Sequence, residues 1–216
     1  LLTKYESLDN RGDLATELDG IEQFKKEIEY DELKGNLSSL IRDIRLGAER
    51  TKNIVEGLRQ FSRIDSPDQV LSDIHQGIRD TLAILQSRLK NKVEVELDFD
   101  YSIQEFMCYP SQLNQVFMNI LLNSEQAIQD KGHIKVSTKL EHANVIVSIT
   151  DDGMGMTEET RLKVFEPFFT TKPVGEGTGL GGSISYGIIQ RHNGSIDIQS
   201  KLNKGTTIII TLPYTI

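Results

Sequence analysis

The stretch NVIVSITDDGMGM, Asn144 to Met156, decides how this sequence is read. Its first seven residues read as an apolar strand, so Asp151 and Asp152 stand at a strand end. Gly153 and Gly155 release the backbone directly after it. A carboxylate buried at a strand end needs a hydrogen-bond partner, and an amino group such as that of adenine can supply one. Asp151 is the candidate acceptor. Taken alone, an acidic turn with convenient glycines accounts for the stretch equally well.

Three further segments lie around it. Upstream, NQVFMNILLNSEQA (Asn114 to Ala127) is a helical pattern that sets Asn119 and Asn123 at i and i+4, on one face. An Asn oxygen is a hard neutral ligand of the kind Mg²⁺ accepts beside substrate phosphates. Asn123 is therefore the candidate metal ligand, with two solvent-facing amides as the plainer reading. Downstream, FEPFFTTK (Phe165 to Lys172) offers Phe165, Phe168 and Phe169 as loop anchors and leaves Lys172 free to reach a phosphate. In GEGTGLGGS (Gly175 to Ser183), Gly175, Gly177, Gly179, Gly181 and Gly182 precede a helix. Backbone amides in such a loop, with the helix N-terminus, suit anionic phosphates. The loop is not a Walker sequence, because no Gly-Lys-Ser/Thr follows, and no strand leads into it.

The surrounding pattern gives the fold class. Ile74, Ile78, Leu82, Leu85 and Leu89 mark a helix, and Val93, Val95, Leu97 and Phe99 alternate as a half-buried strand. The helix carrying the two Asn starts near Ser111, which reads as its N-cap after Pro110. Strands are expected over about 133–140, 144–151, 194–200 and 205–212, with helices over 158–164 and 183–192. Strands grouped with helices, not strictly alternating with them, indicate an α+β fold: a two-layer α/β sandwich whose mixed sheet has one face covered by helices.

The amino-terminal part has a different texture. From Gly35 to Arg63, Leu37, Leu40, Ile41, Ile44, Ala48, Thr51, Ile54, Val55, Leu58 and Phe61 recur every three or four residues in a long amphipathic helix. Leu14, Leu18, Ile21, Phe24 and Ile28 suggest a shorter helix before it, and LLTKYESL reads as the tail of a further element. Residues 1–64 thus read as a partial helical hairpin or bundle. Its apolar seam is closed most simply by a second copy, with packing on residues 14–30 as the alternative. Pro67 marks a linker over 65–72, and 73–216 form the second domain.

Composition narrows the classes. The 216 residues are 38% hydrophobic, enough for a buried core, and 24 basic against 32 acidic residues leave a net charge of −8. That balance argues against a broad nucleic-acid surface. The single cysteine, Cys108, cannot form an internal disulfide, which fits a reducing, cytoplasmic setting. No apolar run is long enough to span a bilayer, so a soluble chain with no membrane segment is expected, although a longer parent could be membrane-attached.

In order and combination, the paired Asn on a helix, DxGxG, FxPF, GxGTGLG and a final strand starting GTT resemble the ATP-binding domain of sensor histidine kinases. That domain belongs to the GHKL superfamily with gyrase-type, Hsp90-type and MutL-type ATPases. The resemblance covers about residues 70–216 and implies a Bergerat-type fold that uses ATP and Mg²⁺. It implies Asn123 as metal ligand, Asp151 as adenine acceptor, and Gly153 and Gly155 beneath the base. Gly177, Thr178, Gly179, Leu180 and Gly181 would line the triphosphate under a mobile lid, Lys172 would meet a phosphate, and Thr206 would support adenine through water. Asn119 stands where hydrolytic relatives carry Glu, and an amide cannot serve as a general base. Transfer of the γ-phosphoryl group to a protein is then favoured over hydrolysis, with Asn119 and Lys172 as catalytic candidates. Residues 1–64 resemble the second half of a dimerisation and phosphoacceptor module, which implies a homodimer through the helices and a response-regulator receiver domain as partner.

Departures from the family pattern are equally specific. No His-Glu-x-x-Asn-Pro motif is present, and His75, His133, His142 and His192 are expected in structural or surface roles. The expectation is that the acceptor lies upstream of this sequence; a nucleotide-binding pseudokinase or scaffold that holds a response regulator is the alternative, and a serine kinase of the same fold a third reading. Ser124 and Glu125 stand where small or apolar residues are usual. Gly182 replaces a Leu and is expected to loosen the lid.

Overall fold

The computed structural model describes residues 14–62, 68–173 and 177–216. LLTKYESL, most of the segment around Pro67, and Gly175 lie outside the described residues, as do the side chains of Ile54, Val55, Leu58 and Phe61. The chain divides into two compact units, Leu1–Lys52 and Asn53–Ile216, so the division falls earlier than the proline segment.

The first unit holds α1 (Leu14–Glu27) and most of α2 (Tyr30–Ser62). α1 ends where Glu29 takes φ of 49°, and the Glu29 N–H bonds the Lys26 carbonyl. α2 has 33 residues, about 50 Å at 1.5 Å each. Ile21 of α1 is buried, whereas Leu37, Leu40, Ile41 and Ile44 of α2 are 57–63% exposed.

In the second unit, α3 (Ile74–Leu89), α4 (Pro110–Ala127) and α6 (Gly181–Arg191) accompany a five-stranded mixed sheet. The strands are β2 (Val93–Asp98), β4 (Gly132–Glu141), β5 (Asn144–Asp151), β7 (Thr206–Pro213) and β6 (Ser195–Ser200), in that spatial order. β2 pairs parallel to β4, and every other pairing in this sheet is antiparallel. Strand alternation explains the two layers. Val145, Val147 and Ile149 of β5 are buried with Ile134 and Val136 of β4 and Ile210 and Leu212 of β7. They meet Ile78 and Leu85 of α3, Val116, Phe117, Ile120 and Leu121 of α4, and Ile189 of α6 in one core. The open face carries Ser148, Thr150, Thr207 and Thr211, none of them buried.

Three local readings are corrected. Residues 70–72, placed in the linker, form β1 (Val70–Ser72), which pairs antiparallel with β3 (Phe106–Cys108). Three-residue strands carry no readable periodicity. α4 starts at Pro110, with Tyr109 at the cap and no capping side chain, so Ser111 is not the N-cap; Pro lacks the N–H that the first turn leaves unpaired. α6 begins at Gly181, two residues before the expected start.

The buried histidines are structural. The Tyr109 N–H donates to His192 Nε2 at 3.1 Å, which leaves Nδ1 as the N–H that donates to the Ile188 carbonyl at 2.8 Å. One neutral imidazole therefore ties the end of α6 to the start of α4. His75 stacks on Phe99 at 4.5 Å, and its Nε2 meets Thr138 Oγ1 at 2.8 Å.

Candidate ATP site

β5 places Asp151 by simple alternation. Positions 145, 147 and 149 face the core, so 151 does too, and Asp151 is 5% exposed. Burial raises its pKa from the usual carboxylate value, while hydrogen bonds from the Ser124 side chain and from the Gly153 and Thr206 backbones act the other way. The Gly153 N–H reaches Oδ1 at 3.1 Å. Ser124 is therefore no random departure: it is buried on α4 and supports the carboxylate. A Cβ at Gly153 would come 2.8 Å from the Ala127 backbone, so only glycine lets the loop pass the end of α4. The Met154 N–H fastens that passage to the Ala127 carbonyl at 2.9 Å. Gly155 continues the loop with φ of 63°. Thr206 is buried opposite Asp151 in the β5–β7 register, and its hydroxyl meets Ser200 Oγ at 2.9 Å.

α4 carries the amides. Asn119 Nδ2 lies 3.3 Å from both the Gly181 carbonyl and Ser185 Oγ, so it binds the first turn of α6. Asn123 Oδ1 accepts from Lys172 Nζ at 3.2 Å. Lys172, expected free, also donates to Gln126 Oε1. Burial lowers its pKa, with Arg88 pressing the same way and Glu125 opposing. Gln126 was not singled out in the sequence, yet its i, i+3 spacing from Asn123 was a readable signal. Glu125 turns elsewhere: it is buried between Lys92 at 2.8 Å and Arg88 at 3.4 Å.

The loops complete the rim. Thr157 Oγ1 accepts from the Thr160 N–H and starts α5 (Glu158–Lys163). Phe165 packs on Tyr186 at 5.6 Å and is half-buried like Phe169, but Phe168 is 58% exposed and anchors nothing, contrary to expectation. Gly177 lies beside Thr170 and Lys172, and Gly179 lies against the Phe168 backbone. Thr178 Oγ1 accepts from the Leu180 N–H at 3.3 Å; Leu180, at the N-cap of α6, is buried. Gly181 adjoins the Asn119 amide. A Cβ at Gly182 would sit 2.1 Å from the Val164 carbonyl oxygen. The glycine that was expected to loosen the lid instead lets α6 close on the end of α5.

A family model described as histidine kinase-, DNA gyrase B- and HSP90-like ATPase matches residues 108–216, which include every candidate site residue from Asn119 to Thr206. The chain belongs to that family. Within the GHKL superfamily it is a histidine-kinase ATPase domain. It is 40% identical over 168 residues to sporulation kinase E of Bacillus subtilis, covering 75% of this chain and 22% of that protein. With sensor histidine kinase ZraS of Escherichia coli K12 it shares 33% over 171 residues, covering 78% and 36%. With sensor kinase CckA of Brucella abortus it shares 32% over 188 residues, covering 80% and 20%. The chain thus spans between a fifth and just over a third of these relatives. Among solved structures, the nucleotide-free catalytic domain of histidine kinase ThkA superposes with a TM-score of 0.62 at 29% identity, over 68% of this chain and 97% of that one. No helix among the described residues is long and apolar enough to cross a membrane.

The oxygen donors fit the metal that this ATPase family implies. Among the described residues no group of three or more His, Cys, Asp or Glu is placed to hold an ion. Asn123 and Gln126 nevertheless turn two amide oxygens toward one cation, the Lys172 ammonium. Mg²⁺ commonly takes one or two protein oxygens and fills its shell with water and substrate phosphate.

Proposed function

We propose that this chain is the ATP-binding catalytic part of a two-component sensor histidine kinase, which transfers the γ-phosphoryl group of ATP to a histidine for relay to an aspartate on a response-regulator receiver domain. Asp151 carries the reading. A carboxylate buried at a core position of a sheet strand, held by Ser124 and Gly153 and flanked by a glycine passage, suits a hydrogen-bond donor such as an exocyclic amino group.

The residues then divide the work. Asp151 accepts from the adenine amino group, with Thr206 behind it, while Gly153 and Gly155 give the base a flat approach. The segment from Gly177 to Gly181 turns backbone amides toward the triphosphate. Asn123 would hold Mg²⁺, which neutralises charge on the phosphates. Lys172 leaves its amide partners to meet a phosphate oxygen. Asn119 cannot take a proton from water, so the site positions the γ-phosphoryl group without activating hydrolysis. It also holds Gly181 and Ser185, so it couples α4 to the first turn of α6.

In the amino-terminal unit, Leu37, Leu40, Ile41 and Ile44 present an apolar face that suits a second copy of the chain, and residues 1–64 are proposed as a partial dimerisation region joined by a linker around Pro67. Calorimetric titration of the chain with ATP, with and without Mg²⁺, tests the reading. Magnesium-assisted binding is expected, and Asp151→Asn is expected to weaken it by about a hundredfold, since a buried donor is then left facing an amide. Equal affinity in the variant would remove the adenine assignment.

A further inference from the structure

Two neighbouring side-chain oxygens on α4 share one cation. Asn123 and Gln126 stand one turn apart, both exposed, and Lys172 Nζ donates to Oδ1 of the first and Oε1 of the second. No carboxylate enters the pair, because Glu125 is committed to Lys92 and Arg88. Two neutral oxygens hold an ammonium or a divalent ion weakly by themselves, and they cannot hold both at once, since like charges at such a separation repel strongly.

We propose that Gln126 is a second protein oxygen for the divalent cation at Asn123, and that the Lys172 ammonium occupies this two-oxygen seat until Mg²⁺ arrives with the nucleotide. The proposal rests on the ATP-site reading above. It makes the metal and the lysine exchange places: Lys172 gives up Asn123 and Gln126 as the ion takes them, and its ammonium becomes available to the triphosphate. Its surroundings suit that exchange. A Cβ at Gly177 would lie 3.2 Å from Lys172 Cδ, so the lysine stem already runs beside the glycine-rich loop. A cation then reaches the phosphates by Lys172 only when the metal is in place, which couples loop order to a correctly metallated substrate.

The test is a Mn²⁺ titration of the full chain, followed by the electron paramagnetic resonance of free Mn²⁺, at saturating non-hydrolysable ATP analogue. Gln126→Ala is expected to weaken Mn²⁺ by about tenfold, the scale on which metal sites respond to a lost partner. Gln126→Glu, which keeps an oxygen at that position, is expected to tighten it. Because residue 126 is exposed, neither change disturbs the core. Lys172→Met is expected to tighten Mn²⁺, and the loss in Gln126→Ala should persist in the Lys172→Met background. If that loss vanishes there, Gln126 acts on the ion only through Lys172 and the proposal is overturned. A nucleotide analogue that fails to bind at any Mn²⁺ concentration overturns the ATP-site reading itself, and this proposal with it.

Discussion

The two units treat their apolar residues in opposite ways. In the sandwich, Phe117, Leu121, Val147 and Ile149 are at most 1% exposed, while in the helical arm Leu37, Leu40, Ile41 and Ile44 are each more than half exposed. Burying such a side chain is worth about 1.5–3 kcal/mol, so the arm leaves unrealised what the sandwich has already gained. The sandwich carries its own core and every candidate site residue. The arm carries a surface without a described partner.

The largest test of that contrast is truncation in each unit. Phe117→Ala is expected to lower the unfolding free energy of the sandwich by about 4 kcal/mol, through lost burial and a residual cavity. Ile41→Ala should change that same urea-unfolding transition by less than about 0.5 kcal/mol. Its effect should appear as weaker self-association in sedimentation. Equal losses in the sandwich transition would show that the arm belongs to the same cooperative unit, and the contrast would fail.

Next in size is Glu125, the buried acid beside the candidate metal ligand. Glu125→Ala removes the carboxylate's hydrogen bond from Lys92 and its ion pair with Arg88 while keeping the backbone carbonyl that Lys92 also reaches, and a loss of about 2 kcal/mol is expected in chemical unfolding. Nucleotide affinity should change little, because the carboxylate turns away from Asn123. A large affinity loss with intact stability would instead make Glu125 part of the site.

Gly182 should give a smaller effect with a decidable sign. Leu in place of Gly in a helix gains about 1 kcal/mol in propensity. Overpacking against the Val164 carbonyl costs about 1–3 kcal/mol, so Gly182→Leu is expected to be destabilising by about 1 kcal/mol net. A stabilised variant would restore the looser lid expected from the sequence.

How much was legible follows from where the signal lies. The sandwich announced itself because alternation in β5 and three-four spacing in α4 are periodic over many residues, and the same alternation put Asp151 on the core side. β1 and β3 stayed hidden because three residues carry no period. Ser124, Glu125 and Gly182 looked like defects because a linear motif cannot show what lies across the fold: Asp151 above Ser124, Lys92 beside Glu125, the Val164 carbonyl against Gly182. Gln126 was missed for a related reason. An amide becomes a candidate ligand only when another chain segment brings a cation to it, and Lys172 is 46 residues away.

The last prediction is read as a slope. His75 and His192 are both held below their ordinary pKa of 6.5, chiefly by burial. His192 must also stay neutral to accept from the Tyr109 N–H. The unfolded chain therefore binds protons near pH 6.5 that the folded chain refuses. Stability is then fully present above that pH and falls as pH drops through the folded values. Asp151 works in the opposite sense. Its raised pKa lets the folded state take a proton first, so its contribution grows as pH falls toward its ordinary 3.8. The exposed His133, raised by its hydrogen bond with Asp152, works against the two buried histidines. Between pH 7.5 and 5.5 the buried pair is expected to dominate, so unfolding in urea should show stability declining with acid, and His192→Gln should flatten the decline while lowering stability at pH 7.5. If the variant kept the full slope, the neutral link between α6 and α4 would carry none of the pH dependence, and His75 alone would be its source.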